Sequence, residues 1–166
     1  HLPGAGAAVE ESYDPQTTND ALAEWIVSLN RGKVALMGHS LGGELAVKLV
    51  SEHGSLFTRA VFLSPWVTSS EKSAKLYSSM ARLTHRSVKN AKLLRMQANY
   101  WGYTAEQTEK LVAYSANIPL ETYVSFFQKR IQLSELSGYP AVTIPMLAMC
   151  ARGETAEMKA SVYALG

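Results

Sequence analysis

The chain has 166 residues, 47% of them hydrophobic and 18% charged, which indicates a folded globular protein with a buried core rather than a disordered segment. Its 16 basic and 14 acidic side chains are too evenly balanced to predict nucleic-acid or membrane binding from net charge alone. The single cysteine, Cys150, excludes an internal disulfide framework and a cysteine-cluster zinc site, and it favours a reducing, cytoplasmic compartment.

The first part of the chain predicts a loop followed by a helix. Residues 1–14 contain the proline and glycines typical of turns. Thr18 or Asn19 is a candidate N-cap for a helix whose apolar residues recur at helical spacing up to Leu29, and Gly32 is its expected stop. No apolar run approaches the roughly 20 residues that cross a bilayer, and no signal peptide is recognised.

The next part predicts a strand, a helix and a second strand. The apolar run Lys33–Met37 is expected to be a strand buried on both faces. Residues Leu41–His53 carry apolar side chains at helical intervals, and Thr58–Leu63 is again a short apolar run that ends at Ser64. This succession is a βαβ unit, which implies a parallel sheet.

The composition then becomes helical over a long stretch. Residues 70–138 contain four helical patterns and no convincing strand. Thr104 and Gln107 are spaced as a capping box, and Pro119 is placed at a helix start. Strand character returns in the stretch "VTIPMLAMC", and "AEMKASVYAL" predicts a last helix.

The pentapeptide Gly38-His39-Ser40-Leu41-Gly42 lies where the first strand meets the following helix. Such a G-x-S-x-G turn can hold a serine in a strained conformation that projects its hydroxyl into a pocket, with glycines making room for strand and helix. The helix N-terminus directs N–H groups toward a developing oxyanion, and the Leu41 N–H is the expected donor. The strand-to-helix context therefore predicts that Ser40 is a nucleophile.

With these motifs the sequence resembles the α/β-hydrolase superfamily over nearly its whole length. "GHSLGG" matches the nucleophile elbow of that family, "HLPGAG" is similar to the loop after its fourth strand, and "YPAVTIPMLAMCARGET" is similar to its seventh strand. The resemblance implies an α/β fold with part of the hydrolase parallel sheet and an inserted all-helical cap. The expected division is core at 1–69, cap at 70–138 and a return to the core at 139–166.

The resemblance also implies a catalytic acid after the seventh strand. In the family that acid comes three residues after a turn glycine, whose place Ala151 takes here, so that Glu154 is the favoured acid. Glu157, one helical turn later, is the alternative. Both glutamates could instead be first-turn residues that stabilise the N-terminus of a helix.

The histidine of the expected Ser-acid-His order is not found among residues 1–166. His39 lies inside the elbow, His53 is expected to cap a helix end, His85 falls in the cap, and His1 is in a loop. We therefore expect residues 1–166 to be an internal segment of a longer hydrolase. The base and the second oxyanion donor are expected to lie outside this segment. The 166-residue segment alone is expected to be inactive.

The predicted function is that of a serine hydrolase acting on a carboxylic ester or related acyl compound through an acyl-enzyme at Ser40. The alternatives are an acyltransferase, thioesterase, peptidase or carbon–carbon hydrolase on the same fold, or a non-catalytic ligand-binding relative. A small acyl substrate is the expected partner. No cofactor, metal, nucleic acid or stable membrane insertion is expected.

The cap carries the one local charge bias of the chain. Between Glu71 and Arg95 seven basic side chains stand against a single acid. This bias predicts either attraction of anionic substrates or lipid headgroups, or a solvated helix face whose long side chains cover apolar surface. Trp66, just after the second strand, is expected either to line the pocket or to pack.

Overall fold

The computed structural model describes all of residues 1–166. Seven helices and three strands follow one another in this order: α1 (Pro15–Ser28), β1 (Val34–His39), α2 (Leu41–His53), β2 (Phe57–Leu63), α3 (Glu71–Val88), α4 (Ala91–Tyr100), α5 (Ala105–Ala116), α6 (Leu120–Gln128), β3 (Met146–Met149) and α7 (Ala156–Leu165). None of the helices combines the length and the apolar character needed to cross a membrane.

The chain folds into two units. The core unit consists of residues 15–70 and 130–166, and the helical unit consists of residues 1–14 and 71–129. The functional division into hydrolase core and cap stays a prediction.

The three strands of the core unit form a parallel sheet in the order β1-β2-β3, as the βαβ pattern predicts. The register pairs His39 with Leu63 and Leu63 with Met149, so that the last residues of all three strands lie side by side. The residues that follow the strands therefore emerge at one edge of the sheet.

The burial of β1 differs from the expectation. Along Val34–His39 exposed residues alternate with partly or fully buried ones, and Met37 is 67% exposed. The expectation of a strand buried on both faces was wrong because α2 covers only one face of β1.

Helix α2 forms the centre of the core unit. Every residue from Gly43 to Val50 is buried, because the helix packs against β1 and β2 on one side and against α1 and the turn at 139–141 on others. The large apolar side chains of Phe57 and Phe62 on β2 are completely buried. The helix that follows Ser40 is thus held by its surroundings over two turns.

The start of α1 also differs from the expectation. The helix begins at Pro15, whose missing N–H and fixed φ suit a first helical turn. Thr18 and Asn19 are therefore not N-caps but buried residues inside the helix. The Asn19 amide donates a hydrogen bond of 2.6 Å to Glu52 of α2 and joins the two helices.

The helical unit is built from α3 packed on α6 and α4 packed on α5, together with residues 1–14. The capping box of Thr104 and Gln107 forms as predicted at the start of α5, and Pro119 precedes α6. The buried Tyr13 contacts Phe126 edge to face, with 5.0 Å between ring centroids. The opening loop is therefore part of this unit.

Candidate active site

Ser40 is the single residue between the end of β1 and the start of α2, and its backbone conformation is rare for residues other than glycine. Its φ of 53° and ψ of −121° lie outside the helical and extended regions, and its side chain is exposed. Such a conformation costs on the order of 1–3 kcal/mol and persists only where surrounding contacts enforce it. The strand-to-helix turn expected from the pentapeptide is present.

Three backbone hydrogen bonds hold the Ser40 turn. The Ser40 N–H donates to the carbonyl oxygen of Leu63 at the end of β2, at 2.9 Å. The Ser40 carbonyl oxygen accepts from the N–H groups of Gly43 at 2.8 Å and Glu44 at 3.1 Å. The serine is therefore fixed both to the neighbouring strand and to the first turn of α2.

The glycines around Ser40 allow backbone segments to approach closely. A Cβ atom on Gly38 would lie 2.6 Å from the carbonyl carbon of Gly42 and 2.8 Å from the Cβ of Ala46, so this position accepts no side chain. A Cβ on Gly43 would lie 3.2 Å from the Leu63 carbonyl oxygen, whereas one on Gly42 would meet no atom within 4 Å. Gly38 is thus the sterically required glycine, Gly43 lies in tight contact with the Leu63 carbonyl, and Gly42 has open space around it.

Leu41, the expected oxyanion donor, is the first residue of α2. The first N–H groups of a helix have no acceptor within the helix and carry its partial positive charge. The Leu41 N–H is therefore chemically suited to bind a negatively charged oxygen next to Ser40.

Glu154 lies in the turn that follows β3. Its N–H donates to the Ala151 carbonyl oxygen at 3.1 Å, which closes the tight turn at the place that the sequence predicts. Its Oε1 accepts a hydrogen bond of 2.9 Å from the hydroxyl of Ser64. Ser64 directly follows β2, has a φ of 45°, and donates its N–H to the carbonyl oxygen of Met149 at 2.8 Å.

Ser40 and Ser64 thus occupy equivalent positions on neighbouring strands. Each follows the last strand residue with a positive φ and donates its N–H to the last residue of the next strand. Ser64 has no sequence signal that marks it as a site residue, because a serine before a proline is an ordinary strand stop. The structure brings Ser40 and the Glu154 turn to the same sheet edge, separated by two strand spacings, or about 10 Å.

Glu157, the alternative acid, lies in the first turn of α7 and has a different contact. Its Oε2 accepts a hydrogen bond of 2.9 Å from the indole N–H of Trp66. The buried hydroxyl of Ser161 accepts from the N–H groups of Val67 at 3.0 Å and Thr68 at 3.1 Å, so α7 fastens this whole loop.

Trp66 is buried and packed rather than open to a pocket. The guanidinium of Arg130 stacks on its ring, 3.8 Å from the centroid, and donates a hydrogen bond of 2.6 Å to its carbonyl oxygen. Of the two expectations for this residue, packing describes its contacts.

A buried carboxyl–guanidinium pair adjoins this tryptophan. Glu44, in the first turn of α2, pairs with Arg130, and both side chains are almost completely buried. Neither residue was recognised from the sequence. The only signal was the acid in "GGELAV", between two glycines and an apolar run, which is equally typical of an acid at a helix N-terminus. The pair joins the helix that follows Ser40 to the Trp66 loop.

Burial raises the pKa of Glu44 to about 8, although Arg130 and the Ile131 backbone N–H act in the opposite direction. The unfolded carboxyl releases its proton near pH 4.5 and the folded one near pH 8, so unfolding releases a proton between these values. The stability that this group contributes is present in full below pH 4.5 and is lost as the pH rises through 8.

We therefore expect the free energy of unfolding to fall with rising pH in this interval, by at most about 1.4 kcal/mol per pH unit from this group. Glu44→Gln has no titrating group and should lack that component of the slope. Urea unfolding of both proteins from pH 4.5 to 8 measures it. Parallel pH profiles for the two proteins would contradict the assignment.

The histidines lie in different places. His39 ends β1 and is exposed, and His53 ends α2 with its Nε2 buried and without a hydrogen-bond partner. In the helical unit, His85 Nε2 donates to the Ile118 carbonyl oxygen at 2.8 Å, and His1 packs on Tyr114. No hydrogen bond joins any of them to Ser40 or Glu154.

The carboxylates of Asp20 and Glu52 and the imidazole of His53 lie with their potential metal-ligand atoms within 4.8 Å of one another. Glu52, however, accepts hydrogen bonds of 2.5 Å from the Lys48 ammonium and 2.6 Å from Asn19. The Lys48 ammonium thus already supplies the Glu52 carboxylate with the positive charge that a metal ion would otherwise provide. This cluster lies at the C-terminal end of α2, the end opposite Ser40.

Comparison with known proteins places this geometry in a family. The model of the serine aminopeptidase S33 family matches residues 15–155. No curated protein sequence matches the chain significantly.

Solved structures share the fold at low sequence identity. A membrane phospholipase A, described as a bacterial virulence factor, superposes with a TM-score of 0.71 at 18% identity over 99% of this chain and 57% of its own. A structure from a study of carboxylesterases of the thaumarchaeon Nitrososphaera gargenis superposes with a TM-score of 0.65 at 15% identity, over 93% of this chain and 60% of its own. A thioesterase domain from the curacin biosynthetic pathway superposes with a TM-score of 0.62 at 14% identity, over 92% of this chain and 63% of its own.

The chain therefore spans about three fifths of the length of these structures, which at such identities show the fold alone. The family model, in contrast, covers most of the chain, including the elbow and the Glu154 turn. The chain belongs to the serine aminopeptidase S33 family of α/β-hydrolases.

Proposed function

We propose that the protein is a serine hydrolase that cleaves a carboxylic ester or a related acyl compound through an acyl-enzyme at Ser40. The observation that carries the proposal is the strained conformation of Ser40, at a strand end, immediately before a helix and tied to the neighbouring strand. A strained serine at this point of an α/β-hydrolase sheet has the geometry of a nucleophile elbow.

In the proposed reaction the Ser40 oxygen attacks the acyl carbon while a histidine takes the hydroxyl proton. The histidine then returns this proton to the leaving alcohol as the carbon–oxygen bond of the ester breaks. Water attacks the acyl-enzyme in the same way, its proton passes through the histidine to Ser40, and the carboxylic acid leaves. The Leu41 N–H would stabilise the oxyanion in both halves, and the steps need no cofactor.

Two components come from outside residues 1–166 in this proposal. They are the histidine and the second oxyanion donor, since the chain spans only about three fifths of the solved structures that it matches. Catalytic activity therefore has to be measured on the complete protein, which would contain both components.

Glu154 is the proposed acid that orients this histidine. Its turn follows β3 at the same sheet edge as Ser40, and only its Oε1 is engaged, by the Ser64 hydroxyl. Glu157, in contrast, holds the indole of Trp66. The contacts thus favour Glu154 as the acid and Glu157 as a residue that positions the Trp66 loop.

The test is covalent labelling of the complete protein with a fluorophosphonate probe. Ser40→Ala should abolish labelling because the probe reacts with the activated serine oxygen. Ser64→Ala is the matched control, since Ser64 has the same strand-end position and positive φ but donates its hydroxyl to Glu154.

The control variant should still be labelled, although more slowly because Glu154 loses the Ser64 hydrogen bond, and mass spectrometry of the labelled peptide should locate the adduct on Ser40. Equal labelling of the Ser40→Ala variant and the parent protein would disprove the proposal. Circular dichroism of both variants checks that the fold is retained.

Peptide hydrolysis is the second candidate, because the family description is that of a serine aminopeptidase. The nucleophile and the acid would be the same, and the leaving group would be an amine. Comparing kcat/KM for a matched acyl ester and aminoacyl amide distinguishes the two functions.

A further inference from the structure

The outer face of α3 carries a row of exposed apolar side chains. Leu76, Met80 and Leu83 are all exposed, the last of them by 83%. Their spacing of four and three residues places them on one side of the helix. The buried residues of α3, Ser78 and Ala81, fall at other helical angles, so that the apolar row is additional to the face that packs inside the unit.

Helix α4 repeats this arrangement. Leu93, Met96 and Tyr100 are spaced by three and four residues and form a second exposed row, in which Met96 is 62% and Tyr100 is 88% exposed. The buried residues of α4, Leu94 and Ala98, lie on another side of the helix. Two successive helices thus each leave an apolar row uncovered.

Exposed aromatic side chains continue the second row. Trp101 and Tyr103 follow the end of α4, both are exposed, and their ring centroids are 5.6 Å apart. Rings with an apolar body and a polar N–H or O–H group are suited to the boundary between water and hydrocarbon.

Basic side chains border the two rows. Lys72 precedes Leu76 by four residues, Arg86 follows Leu83 by three, and Lys92 precedes Met96 by four, so each lies next to an apolar residue on the helix surface. Lys89 lies between the two helices. None of these four cations forms an ion pair, whereas Arg82, Arg95 and Lys75 have carboxylate partners.

We propose that the apolar rows of α3 and α4 and the cations Lys72, Arg86, Lys89 and Lys92 form one surface, and that this surface docks on an anionic phospholipid bilayer. The apolar rows would enter the boundary between headgroups and acyl chains, and the unpaired cations would contact lipid phosphates. The docked helices lie in the plane of the interface and do not span it. The inference does not depend on the proposed catalytic function.

Charge complementarity favours a bilayer over a second copy of the chain. A symmetric dimer through this surface would bring the same four cations of both copies together, and like charges at an interface are unfavourable. An anionic bilayer provides both an apolar layer for the rows and negative charge for the cations.

The test is co-sedimentation of the complete protein with vesicles. We expect binding to vesicles of phosphatidylcholine mixed with phosphatidylglycerol, and much weaker binding to vesicles of phosphatidylcholine alone. Binding should also weaken as salt is added, because the electrostatic component is screened.

Matched variants separate this surface from general effects of charge and hydrophobicity. The triple substitution Arg86→Gln, Lys89→Gln and Lys92→Gln should lower the partition coefficient by about tenfold or more. The triple substitution Arg31→Gln, Lys33→Gln and Arg59→Gln removes the same charge from exposed positions of the core unit and should change it little.

The apolar rows are tested in the same way. Leu83→Ser with Met96→Ser should lower binding, while Val27→Ser with Tyr163→Ser, also exposed but in the core unit, should not. All substituted side chains are exposed within residues 1–166, and the thermal unfolding midpoint of each variant, compared with that of the parent protein, distinguishes lost binding from lost folding. Ser40→Ala should bind as the parent protein does, whatever its activity.

Three results would overturn the proposal. They are absence of binding to the anionic vesicles, an equal loss in the surface and control variants, and a concentration-dependent dimer in sedimentation velocity that the Leu83→Ser, Met96→Ser variant abolishes. The last result would assign the surface to self-association.

Discussion

Replacing Glu154 by glutamine is expected to lower the kcat of the complete protein for ester hydrolysis by about 10⁴-fold, with a much smaller change in KM. The substitution keeps the size of the side chain and its ability to accept the Ser64 hydrogen bond. It removes the negative charge that would orient the catalytic histidine and stabilise its protonated form. Steady-state kinetics with a soluble ester measures the effect.

Glu157→Gln is the matched control for this experiment. Its amide oxygen can still accept the Trp66 indole N–H, and the residue has no proposed part in proton transfer. The kcat of this variant should stay within a few-fold of the parent value. If Glu157→Gln lost activity and Glu154→Gln did not, the acid would be Glu157.

Replacing Arg130 by methionine is expected to lower the free energy of unfolding by about 3–5 kcal/mol. The substitution removes the partner of the buried Glu44 carboxyl, the stacking on Trp66 and the hydrogen bond to the Trp66 carbonyl oxygen. Glu44 must then stay charged without a counter-ion or take up a proton, and either costs energy. Urea unfolding above pH 8, where Glu44 is ionised in the parent protein, measures the loss.

Two comparisons show whether this loss comes from the buried pair. In the double variant Arg130→Met, Glu44→Met, no unpaired carboxyl remains, so that part of the loss should be recovered. Arg95→Met breaks the fully exposed pair with Glu109 and should change stability little. Equal losses for Arg95→Met and Arg130→Met would show that burial does not set the cost.

The sequence predicts the local features around Ser40 well, because they depend on residues close together in the chain. The alternation of an apolar run, the G-x-S-x-G turn and an amphipathic segment specifies the strand, the strained serine and the helix within about twenty positions. The Ala151–Glu154 turn is also predictable from nearby residues, because it lies at a short and fixed distance in sequence from the preceding strand. The catalytic roles of Ser40, Leu41 and Glu154 stay predictions.

The features that were missed depend on partners far apart in sequence. The Glu44–Arg130 pair joins residues that are separated by the whole of α3 to α6, and neither position has a local signal. Gly43 lies in tight contact with the carbonyl of Leu63, which belongs to another strand. The exposure of Met37 depends on which elements cover the two faces of β1. Only tertiary contacts distinguish these residues from ordinary helix, turn and strand positions.

The paired strand-end serines have a consequence for synthesis of the protein. The Ser40 turn needs the carbonyl of Leu63, which emerges from the ribosome soon afterwards, whereas the Ser64 turn needs Met149, which follows only after the complete helical unit. Because Ser64 holds Glu154, the Ser40 turn can form early in translation, while the proposed acid is positioned only once residues beyond β3 have been made. While α3 to α6 are being translated, a nascent chain would therefore contain the Ser40 turn without a positioned Glu154.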